Sequence, residues 1–218
     1  MATNKNTANQ FNYKNTKKLN KNFMYKDLKR SSCYDTDFSG SNFDYASFRG
    51  AHFKACNFFE CTFKSVEFVG TNLKKSKFKK AVFENTLFES ANLDGADFNG
   101  ATFKNTIFLA TDVTKASYLN LKNADVRIFD KMPEIEMSEG LEKAVKEVMR
   151  NEHVKASRVL DTKEGAMNTL SIMILLENFD EETLIKGLQV VEKKLDKSFS
   201  TLSYIIAFIK NAKAQGTF

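Results

Sequence analysis

One residue in five, from Phe38 to Tyr118, is large and apolar, and no other feature of the 218-residue chain restricts its fold as tightly. Seventeen consecutive positions at this spacing hold 13 Phe together with Leu73, Leu93, Val113 and Tyr118. Two residues before each stands a small side chain, as in Ser41, Ala46, Ala51, Cys56, Cys61 and Ala81. A helix repeats every 3.6 residues and a strand every two, so neither produces a period of five. The backbone must instead turn a corner in every unit. The large residue then fills an interior, and the small one lets neighbouring walls approach. Such units cannot bury their apolar side chains alone, so they stack into a solenoid with parallel, ladder-spaced coils.

The units Ala91-Asn92-Leu93-Asp94-Gly95 and Ala96-Asp97-Phe98-Asn99-Gly100 show the motif most fully: small, Asp or Asn, Leu or Phe, then two freer positions. Over residues 36–118 the sequence closely resembles the pentapeptide-repeat family. The resemblance implies a right-handed, four-sided β-helix with four units per coil. Seventeen units then make just over four coils, a shaft roughly 20 Å long at about 4.8 Å per coil. Leu28 and Cys33 continue the spacing backwards, although Lys26 is a poor small residue. After Tyr118 the phase slips, because Ala124-Asp125-Val126 comes eight residues on, and an irregular half-coil is expected up to Phe129.

From Asp130 the composition changes, with Phe sparse and the single proline, Pro133, at the boundary. Helices are expected over Ser138–Arg150, with a continuation towards Leu160, over Lys163–Asn178, and from Glu181 to about Ala212. Asp161 with Glu164 has capping-box spacing, and Asp180 suits an N-cap. The middle helix is apolar nearly all round and should be central, while Ser198, Ser200, Thr201 and Ser203 suit a bend or break in the last. The fold class is thus a β-solenoid followed by a small α-helical bundle. Its expected parts are a basic flexible arm over 1–27, the β-helix over 28–129, and a helical domain over 130–218 that caps the solenoid or dimerises.

Chemistry for catalysis is sparse. His52 and His153 have no partner at metal-ligand spacing, and no phosphate-binding glycine loop or nucleophile elbow appears. Cys56 and Cys61 fall at small inward positions and Cys33 at a large one, so they read as buried structural thiols. No enzyme, cofactor or metal site is expected. The odd cysteine count, the polar N-terminus and the short apolar runs argue for a cytoplasmic protein with no membrane insertion.

Two surface features stand out. Lys74, Lys75, Lys77, Lys79 and Lys80 form a dense basic corner, a candidate anion site that reads first as a solvated edge because no exposed aromatic or Arg is interleaved. Positions recurring every 20 residues share a face, and on one face Val69, Leu87, Ile107 and Leu109 make an outward apolar stripe. Either the helical part or a second molecule should cover it. Residues 1–35 carry 8 basic and 2 acidic groups, which concentrates the positive charge at the N-terminus.

The first functional expectation is a non-catalytic protein-interaction or scaffold module with an unidentified protein partner, a homodimer being one form. The resemblance suggests a second, a DNA-imitating modulator of DNA gyrase or topoisomerase that confers quinolone resistance. The basic charge departs from the acidic surface this needs. Weak, non-specific nucleic-acid binding is a third.

Overall fold

The five-residue period sends successive centre residues to four walls in turn, and the structure, a computed structural model, has this arrangement. It describes residues 10–122, 124–162 and 164–218. The chain divides at Lys131/Met132 into two compact units, each with its own apolar core.

The first unit is a β-solenoid of about six coils. One wall is the parallel sheet β1 (Asn12–Lys14), β2 (Ser32–Tyr34) and β3 (His52–Lys54). Another joins β4 (Thr62–Lys64), β6 (Val82–Glu84) and β8 (Thr102–Lys104). A third joins β5 (Glu67–Val69), β7 (Leu87–Glu89), β9 (Thr106–Leu109) and β10 (Val126–Phe129). The fourth is built from single parallel bridges such as Asp37↔Asn57 and Lys77↔Asp97. Every pairing joins residues 20 apart, for example Phe63↔Phe83 and Phe88↔Phe108. Inside, the rings stack in columns. Phe43, Phe63 and Phe83 follow one another at 5.4 and 5.0 Å between centroids, within 8° of parallel. Each fully buried Phe contributes about 1.5–3 kcal/mol by area.

The corners explain the rest of the motif. Every fifth residue from Asn15 to Ala110 lies in the left-handed region, and only Gly40, Gly50, Gly70, Gly95 and Gly100 among them lack a Cβ. Left-handed backbone costs other residues about 1–2 kcal/mol, so stacking must hold these corners. Where Asn or Asp precedes the centre residue, as at Asp37, Asn42, Asn72 and Asp97, its side-chain oxygen accepts from the backbone N–H two residues on. The small inward residue can add a hydroxyl bridge to the coil before it. Ser76 accepts from the Cys56 N–H at 3.0 Å and donates to the Phe53 carbonyl at 2.6 Å.

Both ends of the solenoid differ from the sequence expectation. Residues 12–27 are not an arm: β1 pairs with β2, Asn22 bridges to Asn42 and Asp27 to Ser47. Tyr13, Phe23 and Leu28 serve as centre residues, and the break in the pattern is Lys18, whose ammonium lies 4.4 Å above the Tyr13 ring. Residues 1–9 of the expected arm lie outside the described residues. At the other end the phase does not slip. Val126↔Thr106 and Ile128↔Phe108 keep the 20-residue register, because the segment after Tyr118 changes its path without changing its length.

Among the described residues, the second unit holds five helices: α1 (Glu139–Val148), α2 (Glu152–Ser157), α3 (Thr169–Asn178), α4 (Glu181–Lys194) and α5 (Leu202–Ala214). Asp180 caps α4 through the Thr183 N–H, as expected, and Ser138, expected as the first residue of a helix, instead caps α1 by accepting from the Leu141 N–H. The Asp161–Glu164 cap does not form. Asp161 is taken by the Arg158 guanidinium at 2.8 Å and bridges to Met167, so α3 starts after Asn168, which accepts from the Ser171 N–H. The expected start at Lys163 lies outside the described residues. The central helix is α4, packed on both α1 and α5, rather than the 163–178 helix. Gly187 permits this closeness, since a Cβ there would sit 2.6 Å from Ile209 Cγ2. The expected last helix is two. Asn151 Nδ2 donates to the Glu192 and Leu195 carbonyls at the end of α4 while its Oδ1 caps α2.

Candidate functional site

Inward positions are filled by packing, so any binding surface is built from side chains flanking the centre residues. These line up in columns, one residue per coil. On the β4–β6–β8 wall Glu84 lies between Lys64 and Lys104, 3.9 and 3.6 Å from their ammonium groups. Asn105 donates to Asn85 at 2.8 Å, and the Tyr25 and Tyr45 rings stack at 4.9 Å. A side chain thus meets its partner 20 residues away.

That rule decides the lysine corner. Lys74 pairs with Asp94 at 2.6 Å and Lys80 with Glu60 at 3.5 Å, in register, while Lys79 reaches diagonally to Asp97 at 3.3 Å. Lys75 lies near enough to lower the Asp94 carboxyl further, after the hydrogen bond and charge of Lys74. Lys77 is the bridge residue between Asn57 and Asp97. The five lysines are brought together, but carboxylates one coil away offset much of their charge.

The apolar stripe is also assembled, on the third wall, with Leu87↔Ile107 and Glu89↔Leu109 in register. Within it Ile107 and Leu109 are 4% and 2% exposed, while Val69 and Leu87 are half-buried. Polar groups are interleaved with it on the same face. Arg49 pairs with Glu67 at 3.4 Å, and burial raises the Glu89 carboxyl above its ordinary value despite the Arg49 charge.

The cysteines are buried and free, with burial pushing Cys33 up to about 11 and Cys56 and Cys61 up to about 12. Such thiols carry almost no thiolate at neutral pH. His52 points outward on β3, and His153 lies 3.5 Å from Glu152. Among the described residues no cluster of His, Cys, Asp and Glu is arranged to hold a metal, and no helix is long and apolar enough to cross a membrane. An open cleft of about 500 Å³ near the last coils is lined by Ser90, Asn92, Asp94, Asp112 and Lys115. Asp112 is held below its usual value there by hydrogen bonds from Thr114.

A family profile described as a pentapeptide repeat region matches residues 36–117. No curated protein matches the chain. Among solved structures, the pentapeptide repeat protein Rfr23 from the cyanobacterium Cyanothece 51142 is 12% identical over 45% of this chain and 88% of its own, with a TM-score of 0.31. HetL, involved in heterocyst differentiation regulation in Nostoc sp. strain PCC 7120, is 20% identical over 54% of this chain and 50% of its own, at 0.29. The plasmid-mediated fluoroquinolone resistance protein QnrB1 is 14% identical over 54% of this chain and 82% of its own, at 0.23. Scores this low add nothing to the coil geometry itself. The five-residue motif, the 20-residue register and the matched profile identify residues 36–117 as a pentapeptide-repeat region, within a chain built as a β-solenoid followed by a helical region.

Proposed function

We propose that this chain is a non-catalytic interaction module whose solenoid offers rigid walls to a protein partner. The observation that carries this reading is the fixed column of outward side chains, seen in Lys64, Glu84 and Lys104 on one wall. Groups already ordered by their neighbours lose little entropy on binding, so a partner with complementary charge spacing is favoured. The alternative, a modulator of DNA gyrase through imitation of DNA, requires walls dominated by carboxylates. Here lysines and carboxylates alternate along the columns, which supports the first reading.

The test is affinity capture with the full-length tagged chain from nuclease-treated lysate, followed by direct binding of any recovered protein to the purified chain. A protein that binds directly, and less tightly to the Glu84→Lys variant, supports the proposal. No protein above background would overturn it. In a supercoiling assay with DNA gyrase, the purified chain is expected to leave activity unchanged, and inhibition or protection would favour the alternative.

A further inference from the structure

The positive charge of the N-terminal region belongs to a rigid coil. Lys14, Lys17, Lys21, Lys26, Lys29 and Arg30 all lie within residues 10–30, whose only acidic residue is Asp27, while Asp35, Asp37 and Asp44 lie one coil on. None of the six forms an ion pair among the described residues, in contrast to Lys64, Lys74, Lys79, Lys80 and Lys104 farther along. Asp27 itself accepts from the Lys29 backbone N–H at 3.0 Å. Asp37, which bridges Lys17, is engaged by Ser39 and by Asn57 at 3.0 Å. The first coil therefore carries uncompensated positive charge, which attracts a polyanion.

Exposed aromatic rings are interleaved with that charge, unlike at the lysine corner. Tyr34 is 52% exposed and sits in the outward column of the first wall directly between Lys14 and Lys54, its register partners on β1 and β3. Neighbouring strands lie about 4.8 Å apart, so cation, ring and cation follow at coil spacing. Arg30 occupies the corner just before β2, and Tyr25, 68% exposed, presents a second ring already stacked on Tyr45. An exposed ring between two cations matches the alternation of base faces and phosphates along an unpaired strand. A duplex hides its base faces within its own stack.

We propose that the first coils of the solenoid bind single-stranded nucleic acid without sequence preference, through phosphate contacts from Lys14, Arg30 and Lys54 and base stacking on Tyr34. This is separate from the protein-binding reading above.

Fluorescence anisotropy of a labelled oligothymidylate of about 20 nucleotides, longer than one such site, with the full-length protein and a duplex of equal length, tests it. The single strand should bind more tightly, and log affinity should fall linearly with log salt, by about 0.7 per cation engaged. Tyr34→Ala should weaken binding at least about fivefold, and combined Lys14→Ser and Lys54→Ser should flatten the salt slope. Because these side chains are exposed, melting temperatures should stay at the wild-type value and separate lost contacts from lost fold. Combined Lys74→Ser and Lys79→Ser should leave affinity unchanged. No binding at low salt, equal binding of the duplex, or an unaffected, folded Tyr34→Ala variant would each overturn the proposal.

Discussion

Phe63 meets six other rings, and its two column partners, Phe43 and Phe83, stack nearly parallel to it. Its neighbours belong to other rigid coils and cannot collapse into a void, so Phe63→Ala should cost about 3–5 kcal/mol in urea unfolding. A loss below about 1 kcal/mol would mean that the column relaxes. The thiols of Cys33, Cys56 and Cys61 should resist alkylation at pH 8 in the native protein and react together once it unfolds, which quenched mass spectrometry reads directly. Glu89 gives a pH test whose sign follows from its raised carboxyl. A folded value above the unfolded one means that its contribution is fully present below about 4.5 and is lost as pH rises through the folded value. Glu89→Gln should therefore raise the melting temperature at pH 7 and lose that advantage near pH 4.

At the scale of elements, Gly187 sets two rules against each other. Helix propensity says that Gly→Ala in α4 should stabilise by about 1 kcal/mol, yet the new methyl would lie 2.6 Å from the fully buried Ile209. Packing should win, so Gly187→Ala should lower the melting temperature, and a rise would show that α5 can shift. The same contest between local signals and tertiary packing explains which elements could be read from sequence. The Phe spacing survives because every centre residue from Phe38 to Phe108 has the same inward role. The first coil was hidden because Lys18 interrupts the centre series and Lys21 and Lys26 occupy small positions, where an end coil tolerates long side chains. Among the helices, the Asp180 cap was legible because it is local. The break between α4 and α5 was legible in Ser198, Ser200 and Thr201, but its first residue, Leu195, was not, because that stop also involves Asn151, 44 residues away.

For the whole molecule, the two separate cores have an experimental consequence. A fragment spanning 132–218 should keep its helical circular dichroism when expressed alone, and Leu188→Ala should lower its melting temperature. A fragment without helical signal would show that its core is incomplete. The candidate surfaces were legible only as compositions. Lys74 to Lys80 are neighbours in the sequence itself, but Asp94 and Glu60 come to them only through the 20-residue register, and Asp97 reaches Lys79 on the diagonal beside it. That register also governs how such a chain can change length. Adding one residue to an interior coil would push a large side chain into a corner. Adding a whole unit of five would keep the interior filled but turn every later column by one wall, leaving Lys104 no longer above Glu84. Only a gain or loss of a complete turn keeps both the interior and the surface lettering in phase, so lineages of this design should lengthen in steps of 20 residues wherever their outer walls are under selection.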